Sequence, residues 1–425
     1  MTEAQFAYSV VHRLRDAGYQ ALFAGGCVRD MLLGLEPHDF DVATDARPEE
    51  VQRLFRRTLA VGASFGVIEV LGPRGEDGKP LRVQVSTFRA EGPYSDGRHP
   101  DRVTFTTAEG DASRRDFTIN GLFYDPIAAQ VIDYVGGRKD LDERVLRAIG
   151  NPWERFAEDK LRMLRAIRFA ARFDLTIEPN TFQAIREMAQ QITVVSAERI
   201  AEELRRMLTD SHRARAIQLM WDSGLVHAIL PELVPFKEAP WGSTGNVWDH
   251  VVRVLDRLRD PSFPLAFAAL LHHLDGEAAN SICRRLKLSN DERERIVWLI
   301  ENHDYLCNAP RMRISQLKTV FAHPGIRELL DLHRADAEAD GRSTEHVAFC
   351  ERLLEQWSEA EINPPPLLSG SDLIRMGLKP GPLFRTLLER VREAQLEGEV
   401  KNADEARQLV QRLLSSEGLS GEPKT

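Results

Sequence analysis

Two aspartates separated by one residue carry the clearest chemical signal in this sequence. Asp39 and Asp41 follow the glycine pair Gly25-Gly26 by about a dozen positions. Side chains at positions i and i+2 of a β-strand point to the same face, so a strand here would present two carboxylates side by side. Mg²⁺ is commonly held by one or two carboxylates plus substrate phosphates. The spacing therefore favours a magnesium-dependent phosphoryl-transfer site, although two acids also occur by chance at solvated strand ends.

The glycine pair stands between two segments of different character. The apolar run Ala21–Ala24 precedes it, and a helical pattern over Val28–Leu33 follows it, which predicts a strand, a tight turn and a helix. Glycine lets backbone N–H groups approach a phosphate closely, and Arg29 would add a bidentate donor. Taken alone, two glycines are also an ordinary turn signal.

A second cluster, Arg114-Arg115-Asp116, lies about 75 residues beyond the aspartate pair. Two adjacent arginines suit the binding of a triphosphate. The alternative is a solvated charge pair at the start of a helix.

A third cluster extends from Glu158 to Phe169. A spacing of three predicts one helical stripe that begins with an acid and continues with arginines, beside an apolar stripe that faces the core. A carboxylate next to a guanidinium can read the edge of a nucleobase, whereas most arginine stripes are simply solvated. The charged stripe comprises Asp159, Arg162, Arg165 and Arg168, and the apolar stripe Leu161, Leu164 and Ile167.

In this order, the clusters resemble the motifs of the class II tRNA nucleotidyltransferase and bacterial poly(A) polymerase family, which includes the CCA-adding enzymes. Residues 25–34 with 39–41 resemble its catalytic motif, 114–120 its arginine-aspartate motif, and 158–169 its nucleobase-selecting helix. Residues 87–89 and 96–101 resemble the strand and flexible loop between them. The resemblance is strong over residues 20–210 and continues more weakly to about residue 415.

The resemblance implies a role for each matching residue. The expected metal ligands and catalytic residues are Asp39 and Asp41; the expected nucleotide-binding residues are Gly26, Arg29, Arg115, Asp159, Arg162, Arg165 and Arg168. Asp159 and Arg162 would make Watson–Crick-like bonds to CTP and ATP, so that protein rather than nucleic acid is the template. A carboxylate accepts a hydrogen bond from the exocyclic amine of cytosine or adenine. O4 of uracil is itself an acceptor, so it would face the carboxylate without a hydrogen bond.

One position departs from the family pattern. Gln84 stands where the family usually has an acid in the segment Arg82–Arg89. Two other acids are candidates for a third carboxylate, Asp116 first and Glu69 second.

The downstream half resembles the helical fold of HD phosphohydrolases, through His250, His272-His273 and His333. A phosphohydrolase of that kind needs a His-Asp pair at the second element, and His273 replaces the aspartate. The resemblance therefore implies a structural helical domain, with binding of a transition metal by imidazole as the alternative.

The resemblance and the pattern of elements predict an α+β fold, in which a small polymerase-β-like head with a mixed sheet precedes an all-helical neck, body and tail. The predicted boundaries are 1–150 for the nucleotidyltransferase head, 151–235 for the neck, 236–360 for the HD-like body and 361–425 for the tail. Net charge is −9, yet residues 138–172 hold ten Lys/Arg against six Asp/Glu, which is typical of a local RNA-binding strip.

The expected partners are tRNA, or another RNA 3′ end, with CTP and ATP as substrates and Mg²⁺ as cofactor. Poly(A) synthesis and partial CC or A addition remain open, because Gly121–Tyr124 leans toward polymerase-like members while the long stretch from Arg89 to Arg114 favours full CCA addition. Four widely spaced cysteines and the absence of a long apolar run or a secretory signal predict a cytoplasmic enzyme without a membrane span.

Overall fold

The computed structural model describes residues 1–37, 39–62, 65–75, 78–92, 102–243 and 245–416. The chain forms two compact units, one of residues 1–236 with 285–287 and the other of 237–284 with 288 onward. Residues 96–101, which resemble the flexible loop of the family, lie outside the described residues.

A mixed sheet forms the centre of the first unit. Its strands within the described residues are β1 (Ala21–Ala24), β2 (Asp41–Thr44), β3 (Thr58–Gly62), β4 (Val67–Arg74), β5 (Pro80–Thr87), β8 (Leu122–Asp125) and β9 (Gln130–Asp133). They lie in the order β3-β4-β5-β2-β1-β8-β9. The β2–β5 pair is parallel and the others are antiparallel. Two-stranded pairs are formed by β6 (Arg89–Glu91) with β7 (Val103–Phe105) and by β10 (Val145–Leu146) with β11 (Thr176–Ile177).

Strand β1 is buried on both of its faces, which explains its unbroken apolar sequence. Ala21 and Phe23 belong to the larger core beneath the first helix, whereas Leu22 and Ala24 belong to a second core on the opposite face. Alternate side chains of a strand point to opposite faces, so a strand covered on both sides needs apolar residues at every position.

Helices cover the sheet and then form the rest of the first unit. The first of them begins with a capping box between Thr2 and Gln5 and buries Phe6, Val10 and Leu14. The helices of this unit are α1 (Glu3–Asp16), α2 (Gly26–Leu32), α3 (Pro48–Leu54), α4 (Ala108–Ser113), α5 (Gly137–Asp142), α6 (Pro152–Glu158), α7 (Leu161–Arg172), α8 (Pro179–Met188), α9 (Ala197–Leu208), α10 (Arg213–Asp222) and α11 (Leu225–Ile229).

Within its described residues, the second unit is helical apart from one short strand pair. The pair is β12 (Pro240–Trp241) with β13 (Gly245–Asn246). The helices are α12 (Val247–Arg257), α13 (Phe263–Leu271), α14 (Gly276–Arg285), α15 (Asn290–Glu301), α16 (Ile314–Phe321), α17 (Ile326–Ala339), α18 (Glu345–Gln356), α19 (Glu359–Ile362), α20 (Gly370–Arg375), α21 (Pro382–Glu397) and α22 (Ala403–Ser416).

A mixed-sheet head followed by helices confirms the predicted α+β class. Within the described residues, each helix is too short or too polar to cross a lipid bilayer. The apolar stripe predicted for the third cluster is also confirmed, since Leu161, Leu164 and Ile167 of α7 are all buried.

Candidate active site

Asp41 is the first residue of β2, and Asp39 lies outside the strand. The prediction that one strand carries both aspartates is therefore wrong. The antiparallel neighbour β1 ends at Ala24, and Gly25 turns the chain away with φ +73°, so the pairing on the β1 side stops before Asp39. Within β2, Val42 packs in the larger core and Ala43 in the opposite one, which places Asp41 on the same face as Ala43.

The Asp41 carboxylate has no hydrogen-bond or ion-pair partner among the described residues, although it lines a cleft in the head. Burial raises the pKa of this carboxyl; Arg115 opposes the rise, and the charge of Asp39 adds to it. A half-buried carboxylate with unused oxygens beside a second acid is a suitable donor set for a hard divalent cation. The residues present therefore fit the predicted metal site.

The glycine turn leaves room for an arginine. A Cβ on Gly25 would lie 2.6 Å from Nη1 of Arg115, so this position needs glycine for space as well as for its positive φ. Gly26 begins α2, and both glycines line the same cleft as Asp41.

Arg29 is buried behind the turn. It donates to Oδ1 of Asp30 through Nε and Nη2, at 2.9 and 2.7 Å, and to Oδ1 of Asn120 through Nη1 at 2.7 Å. Its guanidinium also lies 4.2 Å from the ring centre of Phe173. These bonds fix the arginine at the back of the cleft, and its contact with a nucleotide stays a prediction.

Arg114 and Arg115 follow α4 and are tied to one buried carboxylate. Asp111 accepts from Nε of Arg114 at 2.8 Å and from Nη2 of Arg115 at 3.0 Å. It also accepts from the backbone N–H of Arg89 at 3.2 Å. Burial would raise the pKa of Asp111, but the two guanidinium groups outweigh burial and lower it. The arginine pair is thus held in place rather than solvated.

Asp116 is fully engaged by protein groups. Oδ2 accepts from Nε and Nη2 of Arg165, at 2.9 and 2.7 Å, and Oδ1 accepts from Nδ2 of Asn120 at 3.0 Å and from the N–H of Phe117 at 2.9 Å. Burial would raise its pKa, but Arg165 and Asn120 outweigh burial and lower it to about 2. Such a carboxylate suits the fixing of α7 to the head better than the binding of metal.

Asp159 lies just before α7 rather than on it. Its backbone is extended, with φ −142° and ψ 105°, so the predicted four-residue helical stripe is wrong at its first position. Oδ1 accepts from the N–H of Leu161 at 3.0 Å, and Arg199 of α9 donates to Oδ1 at 3.3 Å and to Oδ2 at 2.7 Å. The carboxylate is therefore oriented by residues on both sides.

The arginines of α7 are each held by an acceptor. Nη1 of Arg162 donates to the backbone carbonyl of Arg155 at 3.1 Å and to the carboxylate of Glu158. Arg168 donates through Nε to Glu203 of α9 at 2.6 Å, and both members of that pair are buried. The helix face predicted from the sequence is therefore ordered, not loosely solvated.

Asp41, both glycines and the arginines of the second and third clusters face one cleft of about 600 Å³, whereas Asp39 and Asp111 do not line it. Nine arginines and four carboxylates line it, so its charge favours a polyanion. The lining residues are Gly25, Gly26, Arg29, Asp41, Val67, Gln84, Ser86, Arg89, Glu91, Arg114, Arg115, Asp116, Asn120, Asp159, Leu161, Arg162, Arg165, Arg168, Phe169, Arg199 and Arg206.

Sequence reasoning assigned no specific contact in the site to Asp111, Asn120, Arg199 or Glu203. Asp111 stands three and four residues before the arginine pair, a helical spacing that would have signalled the contact. Arg199 and Glu203 are four residues apart on α9, but nothing in the sequence says that this helix packs against α7.

Three family descriptions match successive parts of the chain. "Poly A polymerase head domain" matches residues 21–147, "Probable RNA and SrmB-binding site of polymerase A" matches 174–237, and "tRNA nucleotidyltransferase domain 2 putative" matches 262–409. They follow one another in the order that the motifs predicted.

Curated relatives and solved structures match nearly the whole length. The CCA-adding enzyme of Streptococcus suis (strain 05ZYH33) is 32% identical over 409 residues, covering 95% of this chain and 95% of the relative. That of Streptococcus mutans is 33% identical over 413 residues, covering 95% and 96%. The crystal structure of Bacillus stearothermophilus CCA-adding enzyme in complex with CTP has a TM-score of 0.78 at 28% identity, covering 99% of this chain and 100% of that one. The resemblance deduced from the motifs is confirmed: the chain belongs to the CCA-adding enzyme family of tRNA nucleotidyltransferases.

Proposed function

We propose that this enzyme adds C, C and A to the 3′ end of tRNA, using CTP and ATP. The observation that carries the proposal is the single cleft in which the unpartnered Asp41 carboxylate, the glycine turn and the Asp159–Arg162 pair meet. The match to a CTP complex of a relative supports a nucleotide in such a cleft.

The triphosphate lies at the end of the cleft that carries Gly26 and Arg115. Arg115 is oriented by Asp111 and touches the turn, so its position is set before a nucleotide arrives. Preorganised donors avoid a reorganisation cost when charge develops on the leaving pyrophosphate. Arg29 supports this wall from behind.

Asp41 and Asp39 would hold the metal ion, which we assign as Mg²⁺ because both donors are carboxylates. When bound, Mg²⁺ supplies Lewis-acid stabilisation of the phosphate oxygens and lowers the pKa of the attacking hydroxyl. The RNA 3′ oxygen forms a bond to the α-phosphorus as the bond to pyrophosphate breaks, and the hydroxyl proton passes to water. The protein mainly positions the two reactants.

The base lies against Asp159 and Arg162. A carboxylate has about four lone-pair sites, and the bonds from Leu161 and Arg199 occupy three, which leaves one acceptor site on Oδ2 for an exocyclic amine. Cytosine and adenine both offer that amine and uracil does not. The same pair therefore serves both substrates, as an enzyme that adds two different nucleotides requires.

Arg165 and Arg168 maintain the position of α7 through Asp116 and Glu203. We assign the enzyme to the cytoplasm, in keeping with four free cysteines and a tRNA substrate.

The test is extension of a tRNA that lacks its 3′ end, read at single-nucleotide resolution with CTP, ATP or both plus Mg²⁺. Three additions, with the last requiring ATP, are the expected result. Arrest after two additions despite ATP would mean a CC-adding enzyme. Long ATP-only tails on the tRNA and on an oligo(A) primer would mean a poly(A) polymerase.

The Asp41→Ala variant controls for contaminating activity. Because it removes the central metal ligand, we expect a loss of more than roughly 100-fold with the fold intact by circular dichroism. Asp142→Asn, which alters an exposed acid of α5, should keep full activity. Near-normal turnover by Asp41→Ala would refute the assignment.

A further inference from the structure

The second unit contains a cluster of three histidines that nucleotide addition does not use. His250 lies on α12, and His272 and His273 directly follow α13. One ring nitrogen from each of the three lies within 4.8 Å of the others. The helices α12, α13 and α17 pack against one another around this point.

A carboxylate from the third helix completes the cluster. Oδ1 of Asp336, on α17, lies 3.0 Å from Nε2 of His250 and 3.9 Å from Nε2 of His272. The other oxygen of Asp336 accepts from Arg342, so Oδ1 is the one directed at the imidazoles. Ligands of a tetrahedral ion with bonds of about 2.0–2.1 Å lie roughly 3.3 Å apart, and the two measured separations bracket that value.

Nδ1 of His250 and of His272 each faces an acceptor outside the cluster. Nδ1 of His250 lies 3.0 Å from Oδ1 of Asp340, and Nδ1 of His272 lies 2.8 Å from the carbonyl oxygen of Ala269. Since a carbonyl can only accept, Nδ1 of His272 carries the proton and its Nε2 keeps a lone pair. This arrangement, with Nδ1–H on an acceptor and Nε2 on the ion, is the usual one for a histidine that binds a metal through Nε2.

Nε2 of His272 is buried and has no hydrogen-bond partner among the described residues. Nε2 of His250 is also buried, and its 3.0 Å approach to Asp336 is not aligned as a hydrogen bond.

Trp241 covers the cluster. Its ring centre lies 4.3 Å from that of His250 and 4.6 Å from that of His273, and its Nε1 donates to Oδ2 of Asp340 at 2.9 Å. The indole thus shields two candidate ligands and fixes the carboxylate that orients one of them.

We propose that the helical body binds one divalent transition-metal ion, of the zinc class, through His250, His272, His273 and Asp336. Three imidazoles and one carboxylate suit Zn²⁺ or Fe²⁺ rather than Mg²⁺. Four protein ligands leave no open position, so the ion is structural and joins α12, α13 and α17. It is separate from the ion at Asp41.

The test measures metal bound to the full-length chain after chelation, dialysis against Zn²⁺ and gel filtration. One equivalent of zinc per chain and a higher melting temperature than the chelated protein are expected. Cobalt substitution should give the visible absorption of a tetrahedral site without a thiolate charge-transfer band. Retention of no zinc by the wild type would overturn the proposal.

Substitution of the proposed histidine ligands shows where the zinc ion binds. His272→Ala and His273→Ala should lose it, whereas the exposed His212→Ala should keep it. A second group, Cys307, His333 and His346, also has ring nitrogens and a thiol within 4.8 Å of one another. If Cys307→Ser loses zinc while His273→Ala retains it, the ion binds at Cys307 and the proposed histidine site is refuted. A cobalt–thiolate band in the wild type would have the same meaning. The cobalt spectrum of the wild type decides the matter even if a histidine variant fails to fold.

Discussion

Gln84 lies directly beside Asp41 in the parallel register between β5 and β2. Glu69 of β4 lies on the other side of Gln84, so the three residues form one row across three strands. Their apolar neighbours Val42, Val83 and Val85 pack in the larger core, which directs the row to the opposite face. The amide therefore stands next to the proposed metal ligand, where a carboxylate would be a further ligand.

Replacing Gln84 with glutamate should increase metal affinity. A third carboxylate at this position adds an oxygen ligand and negative charge, so we expect the Mg²⁺ concentration for half-maximal nucleotide addition to fall about 10-fold. A magnesium titration of the addition rate measures this. Gln130→Glu, an exposed change on β9 of the same sheet, is the matched control. An unchanged requirement in Gln84→Glu would show that this side chain does not reach the ion.

The raised pKa of Asp41 should appear in the pH dependence of activity. The protonated carboxyl does not bind metal, so the rate should fall as pH decreases through this pKa, which is above the ordinary value for aspartate. Because Mg²⁺ competes with the proton, higher Mg²⁺ should move the acidic limb to lower pH. Rate profiles at two Mg²⁺ concentrations test this. If the acidic limb does not move with Mg²⁺ concentration, the fall in rate reflects the titration of a group other than Asp41.

Removing the carboxylate of Asp159 should relax the choice of nucleotide. The Asp159→Ala variant loses the acceptor for the exocyclic amine, and we expect the preference for CTP over UTP to fall roughly 10- to 100-fold. Arg199→Gln leaves the carboxylate in place but removes its orienting partner, so a smaller change is expected. Single-turnover rates with each nucleotide measure the effect. Arg186→Gln on α8, outside the cleft, serves as the control, and unchanged discrimination in Asp159→Ala would contradict the proposed role.

Breaking the pair between Asp116 and Arg165 should cost stability. The Asp116→Asn variant leaves the half-buried guanidinium of Arg165 without its counter-ion, and the free energy of unfolding should fall by roughly 2 kcal/mol. Thermal unfolding followed by circular dichroism measures this, with the exposed Asp222→Asn expected to change little. If Asp116 were instead a metal ligand, Asp116→Asn would raise the Mg²⁺ concentration needed for activity and leave the stability nearly unchanged.

The ion pair between Asp116 and Arg165 also predicts a pH dependence of the free energy of unfolding. The pKa of Asp116 is lowered to about 2 in the folded protein. Its contribution is therefore fully present above the pKa of the unfolded chain, near 4, and is lost as pH falls toward 2. The stability difference between wild type and Asp116→Asn should shrink over that range. A constant difference would show that the charge of Asp116 does not contribute.

The local elements of the head could be predicted from short patterns. The apolar run Ala21–Ala24 is a strand with those bounds, and the period of α7 correctly separated buried Leu164 from the charged face. Such patterns succeed because burial on one face, or on both, depends on residues near in sequence. Strand β8 was missed because residues 117–125 combine buried and polar positions without a clear alternation.

The residues at which strands and helices begin were less predictable. The strand expected to contain both aspartates begins only at Asp41, since β1, its antiparallel neighbour, ends at Ala24 and the pairing on that side stops there. Asp159 similarly fits a helical period but lies in the break between α6 and α7.

The sequence alone determined the family, the order of its motifs and the chemical types of the site residues, because those are properties of residue identity and spacing. Only the tertiary structure decided which charges meet. Asp159 pairs with Arg199 forty positions away and Asp116 with Arg165 forty-nine positions away. Three helices likewise bring His250, His272 and Asp336 to one point. Long-range pairing depends on the packing of whole helices, and that packing depends on the summed burial of many residues rather than on any one motif.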